Sequence, residues 1–309
     1  MSDEPSAWSS TWPSLPLANW SETCDTLHLW TQIVGKVRLA LSPLVNHWWN
    51  VTFYVTARGL ATSPIPCGTR TFGIVFDFVQ HRLIIQCSDG RVETLELAPM
   101  PVKDFYGAFM RLLERLDIAV HIWTMPSEIE NAVPFDQDRL HAQYDPVYAQ
   151  RFWRALVQSD RVMKAFRARF IGKVSPVHFF WGSFDLAVTR FSGRRASPPT
   201  GTTPNVASWV MAEAYSHEVS SCGFWPGNGG YGRPAYYVYA YPEPPDYGKT
   251  KLRTAGAFYD GGLGQFILPY ETVRQSADPD TLLLDFLQET YEAAARQAHW
   301  DRVALERPL

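Results

Sequence analysis

Two histidines and three acids in the second half of the chain are the groups whose types could do chemistry: His178, Asp185, Glu213, His217 and Glu218. His178, His217 and Glu218 would supply two imidazoles and a carboxylate, the donor set of open zinc and non-haem iron sites, so a divalent metal is the cofactor they would hold. No H-E-x-x-H spacing accompanies them. Glu213 and His217 stand four apart and would share a helix face, a better-placed pair than the adjacent His217 and Glu218. Without a metal, His217 oriented by Glu213 or Glu218 would serve as a general base, with Ser221 or Cys222 as nucleophile. Ser220-Ser221-Cys222-Gly223 lacks the G-x-S-x-G elbow of α/β-hydrolases, and Cys222 is expected as a buried thiol. The catalytic candidates are therefore His178, Asp185, His217 and Glu218. Arg190, with Arg194 and Arg195, would suit an anionic substrate.

These groups need elements to hold them. Read as one strand, 178–190 alternates so that His178, Phe180, Gly182, Phe184, Leu186, Val188 and Arg190 face one way and Trp181, Ser183, Asp185 and Thr189 the other. His178 and Asp185 are then opposed unless a bulge at Gly182 re-aims one of them. Tyr237, Tyr239 and Tyr241 alternate on a neighbouring strand and would wall a pocket with apolar rings carrying polar tips. Trp181, Trp225, Tyr237 and Tyr239, with Arg190, are the expected substrate contacts. Between them, 216–232 is polar, aromatic and Gly-rich at once. It reads as a loop, but it fits neither a P-loop nor a dinucleotide fingerprint.

The wider pattern is α+β. Leu27, Trp30, Val34, Val37 and Leu41 line one helix face. The β-branched and aromatic run 45–56 reads as a long strand. Strands at 72–79, 82–87 and 92–97 follow, then a helix opened by Pro101 and a strand at 120–123. The second half begins with a helix carrying Phe152, Leu156, Met163, Phe166 and Phe170. It ends with one capped at Asp278-Pro279 and carrying Leu283, Phe286, Leu287 and Tyr291. Turn markers recur in order: Gly59-x-x-x-Ser63-Pro64 returns 134 positions later as Gly193-x-x-x-Ser197-Pro198, and Asp89-Gly90 returns 171 positions later as Asp260-Gly261. The expectation is two related α-β-β-β-β-α halves in a pseudo-twofold arrangement, each an antiparallel sheet covered by helices. Residues 1–16 form a flexible arm, 17–133 the first repeat, 134–146 an ordered connector, and 147–309 the second repeat. The second repeat carries 37 extra residues, an insertion near 199–235 that includes a short helix at 205–215.

The 309 residues are 46% hydrophobic and 19% charged, with 18 Phe, 14 Tyr and 12 Trp, which excludes disorder. A net charge of -3 speaks against a general nucleic-acid binder. The four cysteines form no C-x-x-C pair, no run is long enough to span a membrane, and the acidic N-terminal residues are unlike a signal peptide. A cytoplasmic location is the expectation.

The stretches Leu27-His28-Leu29-Trp30-Thr31-Gln32-Ile33-Val34-Gly35-Lys36, Pro134-Phe135-Asp136-Gln137-Asp138, Ser175-Pro176-Val177-His178-Phe179-Phe180-Trp181-Gly182-Ser183-Phe184-Asp185-Leu186 and Tyr215-Ser216-His217-Glu218 resemble an uncharacterised bacterial family known only as a domain of unknown function. The resemblance runs from about Leu15 to Arg302 and implies a bacterial protein, with no activity or catalytic residue attached. The residues alone suggest a small-molecule enzyme. A non-catalytic aromatic cradle for a small ligand and a homodimeric interaction scaffold are the alternatives.

Overall fold

The computed structural model describes residues 11–307. Helix α1 (Ser21–Leu41) is buried around nearly its whole circumference, from Thr23 to Arg38, and so runs through the middle of the molecule. The first sheet comprises β1 (Tyr54–Val55), β2 (Gly59–Ala61), β3 (Ile65–Cys67), β4 (Arg70–Asp77), β5 (Arg82–Cys87) and β6 (Val92–Glu96). It runs β1-β2-β4-β5-β6, with β3 also paired to β4, and every pair is antiparallel. Ile74 faces Ile85 and Phe76 faces Leu83 across the central hairpin, all four fully buried, so the alternation of the two strands fixes their register. Helix α2 (Val102–Arg115) closes this half, turning Phe105, Phe109, Leu112 and Leu113 inward.

The second half starts with α3 (Pro146–Ala168), whose N-cap Asp145 accepts from the amides of Val147 and Tyr148 ahead of Pro146 at the first helical position. Then come β7 (His178–Phe180), β8 (Asp185–Arg195), α4 (Ser208–Ala214), β9 (His217–Trp225), β10 (Ala235–Tyr241), β11 (Phe258–Asp260) and β12 (Gln265–Pro269). This sheet is antiparallel in the order β7-β8-β9-β10-β12-β11. Helices α5 (Tyr270–Arg274), α6 (Pro279–Gln297) and α7 (Arg302–Leu305) complete the chain. Asp278 caps α6 through the Thr281 amide, as its sequence signals. The fold is α+β, and each half presents a helix, a six-stranded antiparallel sheet and a helix. The edges of the sheets meet where Phe53 and Phe179 exchange two backbone hydrogen bonds of 2.8 and 2.7 Å. A large buried apolar cluster runs through both halves, and a small second one is formed by Ala235, Tyr237 and Ile267.

Four expected elements differ. The run 45–56 is a strand only at Tyr54 and Val55; ahead of it Asn46–Trp48 makes a 3-10 turn with His47 and Trp48 at φ 57° and 62°. The buried Arg38 guanidinium causes this, because it donates to the carbonyls of Asn50 and Thr52, groups that a ladder would otherwise use. Residues 120–123 belong to no strand. The stretch 178–190 is a hairpin that turns at 181–184, with Phe184 at φ 59°. The Gly-rich stretch contains β9, a central strand; only 226–234 beyond it is loop. The helix at 205–215 is present as α4. Of the proposed arm, 1–10 lies outside the described residues. Trp12 and Leu15 are buried, and the Tyr270 hydroxyl donates to the Pro13 carbonyl.

Candidate functional site

The hairpin changes which side chains share a face. Cross-strand partners project together, so pairing Phe180 with Asp185 and His178 with Ala187 puts both strands' residues on one side, with Thr189 and Phe191 further along. Leu186, Val188 and Arg190 point to the other side. Asp185, Ala187, Thr189 and Phe191 floor a cleft of about 830 Å³, a size suited to a small organic molecule. Ser221 and Trp225 of β9 and Tyr237 and Tyr239 of β10 extend the floor. The walls are the end of α1 (Lys36, Leu39), Trp48 and Trp49 of the 3-10 turn, the segment from His121 to Glu128, and Trp209 and Tyr215 around α4. Six tryptophans reach it: Trp48, Trp49, Trp123, Trp181, Trp209 and Trp225.

Polar groups sit on this aromatic surface in a connected order. Asp185 accepts from the hydroxyls of Ser183 and Tyr237. Tyr237 is on β10 and reaches β8 only because Gly223, its partner on the intervening β9, has no side chain; a Cβ there would collide with the Tyr237 ring. Tyr239 stacks on Tyr237 at 6.1 Å, and its hydroxyl lies 3.0 Å from that of Tyr215. Ser221 and Thr189 hydroxyls pair at 2.8 Å. Burial raises the Asp185 carboxyl above the usual carboxylate range against the lowering effect of its two hydroxyl donors.

A second acid, Glu128, faces the same cleft. The Gln32 side chain on α1 bonds both backbone groups of Ser127, at 2.8 and 2.9 Å, and the Glu128 amide donates to the Pro204 carbonyl at 2.8 Å. Between these ties Glu128 is held at φ 62°, a conformation uncommon for a side chain of this kind. Its carboxyl lies over Gly182, where a Cβ would strike it. Glu128 is exposed on the cleft side, with protein packed behind its carboxyl. Among the described residues no donor satisfies it. Burial first, then the nearby Asp185, pushes it up to about 7.

Helix α1 positions the turn that carries these acids. The His28 ring donates from Nε2 to the Gly182 carbonyl at 2.8 Å and meets the Asn228 amide at Nδ1, 3.3 Å away. Burial holds this imidazole down to about 4, so it is neutral. Gly35, two turns on, lets the Trp181 ring lie directly against the helix. Lys36 follows it, 5% exposed, with Nζ 4.9 Å from the centre of the Trp123 ring and 5.9 Å from that of Phe135.

Of the residues nominated from sequence, Asp185, Trp181, Trp225, Tyr237 and Tyr239 line the cleft. His178, Arg190, His217 and Glu218 are not among its lining residues. His178 is buried under Trp49 and Phe180 with Nδ1 3.2 Å from the Thr52 hydroxyl, and burial depresses it to about 3. Arg190 is fully buried on the opposite sheet face, its guanidinium against the rings of Phe166 and Tyr291 and donating to the Phe166 carbonyl. Glu218 is taken by Arg194 and Ser192, and His217 by the Ser216 hydroxyl. Glu213 accepts from the His47 amide. The set His178, His217 and Glu218 does not converge, and among the described residues no group of three His, Cys, Asp or Glu side chains is arranged to hold a metal ion. Cys222 is buried, with its thiol pushed up to about 12 and directed at the Val188 carbonyl. The connector folds as an ordered turn in which Asp138 accepts from the Leu140 amide and the His141 ring, and Phe135 is fully buried.

Sequence reasoning missed Glu128, Lys36 and Tyr215. Lys36 left a trace, a lysine among the apolar residues Ile33, Val34 and Val37 of α1; Glu128 left none. No helix of the described chain is long and apolar enough to cross a membrane. Neither a curated protein nor a solved structure matches the chain. The stretches that converge here, from His28 to Lys36 on α1 and from Trp181 to Asp185 on the hairpin, lie within residues 12–307, which match a single family profile, so the chain belongs to DUF5996, a family of unknown function.

Proposed function

We propose that this protein is an enzyme that moves a proton on a small, largely apolar molecule held in the aromatic cleft. The observation carrying the reading is Glu128, a cleft acid with no protein partner among the described residues, set beside a second acid that is tethered. Near neutral pH such a group is split between its acid and base forms, the condition under which one carboxyl both gives and takes a proton efficiently. Asp185, tethered by the Ser183 and Tyr237 hydroxyls, holds a fixed place beside Glu128. The Tyr215 and Tyr239 hydroxyls bond each other, which leaves one O–H of the pair to donate to an oxygen on which charge develops. The rings of Trp181, Trp209 and Trp225 hold the apolar body and keep water away.

A cradle that binds without chemistry is the second reading, favoured by the six tryptophans. The two separate by experiment. Compounds that raise the melting temperature are found by screening small aromatic molecules, then incubated with protein in deuterated water and followed by proton NMR. The enzyme reading expects exchange or conversion of a bound compound by wild type and its loss in Glu128→Gln. Equal behaviour of the two proteins toward every cleft ligand would leave only the cradle. A cytoplasmic, bacterial setting and duplication of one helix-sheet-helix unit belong to the same reading, the latter supported by the ordered turn markers.

A further inference from the structure

Lys36 stands in this cleft without a counter-ion. Its residue is 5% exposed and lines the cleft, Nζ lies within about 6 Å of the centres of the Trp123 and Phe135 rings, at 4.9 and 5.9 Å, and among the described residues no carboxylate or carbonyl accepts from Nζ. The other lysines whose partners are visible are engaged differently: Lys164 with Asp160, Lys249 with Asp246, Lys173 with the His47 ring. A buried ammonium is costly unless it is paired, and here only ring faces offset the loss of water. A lysine in that setting is available as a neutral amine, the form that attacks a carbonyl carbon. Burial lowers its proton affinity to about 8, in agreement with the geometry.

We infer that the cleft takes a carbonyl compound, an aldehyde or ketone with an apolar or aromatic body, and that Lys36 forms an imine with it. The inference rests on the reading of the cleft as a small-molecule site. The Lys36 nitrogen lone pair adds to the carbonyl carbon as the C=O π pair moves onto oxygen, and the proton that the nitrogen then loses passes to that oxygen, giving a neutral carbinolamine. The hydroxyl is then protonated and leaves as water, generating the Lys36 iminium; hydrolysis reverses the sequence. No oxidant or reductant is needed. Glu128 lines the same cleft and, near neutrality, carries the proton that water loss requires. An iminium acidifies the neighbouring C–H, which gives a proton-transferring carboxyl something to act on.

The test uses the full chain with cinnamaldehyde as probe and cyanoborohydride to trap any imine, followed by peptide mapping. Cinnamyl alcohol, of the same shape without the carbonyl, is titrated against tryptophan fluorescence as a measure of cleft occupancy. The chain has six lysines, so selectivity is easily read. The expected result at pH 7 is one reduced adduct, on Lys36, with labelling on the order of 10- to 100-fold above any other lysine because far more of this amine is neutral. Lys36→Arg would lose that adduct while the other lysines keep their background labelling. If the alcohol binds saturably while label is spread over all lysines or is absent from Lys36, the imine is overturned and the cleft reading stands. If the alcohol does not bind and no Lys36 adduct forms, both fall.

Discussion

Replacing Glu128 by Gln removes one ionisable proton and changes little else, since the shapes match and no donor among the described residues binds the carboxyl. In the folded protein this acid titrates at about 7 against an ordinary 4.5, so the folded state holds its proton more tightly than the unfolded chain does. Wild-type stability therefore falls as pH rises from about 4.5 to about 7, and the loss is complete above that. At about 1.4 kcal/mol per pH unit the full shift corresponds to about 3 kcal/mol. The carboxyl is open to water from the cleft, and screening reduces that to about 1 kcal/mol. Glu128→Gln should thus match wild type at pH 4 and be more stable by about 1 kcal/mol at pH 8, a gain of about 2 °C in Tm for a chain of this size. Paired urea melts from pH 4 to 8 read the difference and cancel every other titration. Two curves separated by a constant offset across that range would refute the argument that this acid is held in its protonated form by its surroundings.

Further outcomes follow from the same contacts. Gly223→Ala pushes a methyl into the Tyr237 ring and breaks its bond to Asp185; it should cost about 1–3 kcal/mol in denaturant melts and weaken near-ultraviolet tyrosine dichroism. His28 and His178 are neutral in the fold, held down to about 4 and about 3 from 6.5, so stability is present above pH 6.5 and drains as pH falls through that window. His28→Gln should flatten this acid limb in the same melts. Trp209→Ala, at an exposed ring packed 5.0 Å from Trp48, should weaken cleft ligands in fluorescence titrations while leaving Tm within about 1 °C, as surface changes do. Arg190→Met should leave ligand affinity unchanged by the same titration, because that side chain lies on the far face of the sheet.

Local pattern carried much of the fold. The strands at 70–77, 82–87 and 92–96 and the helices ending each half are all written in periodicity, turn residues and caps, because each is decided by neighbours in sequence. The 45–56 run misleads because its conformation is set by Arg38, which captures its carbonyls from a helix before it. His178 and Asp185 would face opposite ways only on an unbroken strand, and the hairpin puts both on one face. Gly182 marked a place where the strand could fail, but the reversal depends on His28 holding its carbonyl and on Phe184 at positive φ. The tyrosine row and Asp185 were legible as a site. Glu128 was not, since its place is fixed by Gln32, 96 positions earlier, and by Pro204, 76 later, and no local pattern encodes such ties.

The proposed chemistry requires small molecules to settle beside Glu128 and Asp185. Crystals soaked with a mixture of aromatic fragments answer this directly. The expected result is density between Trp181, Trp209 and Trp225 with a fragment polar atom within hydrogen-bond distance of the Glu128 carboxyl. Fragments bound elsewhere, with the cleft holding only water, would contradict it.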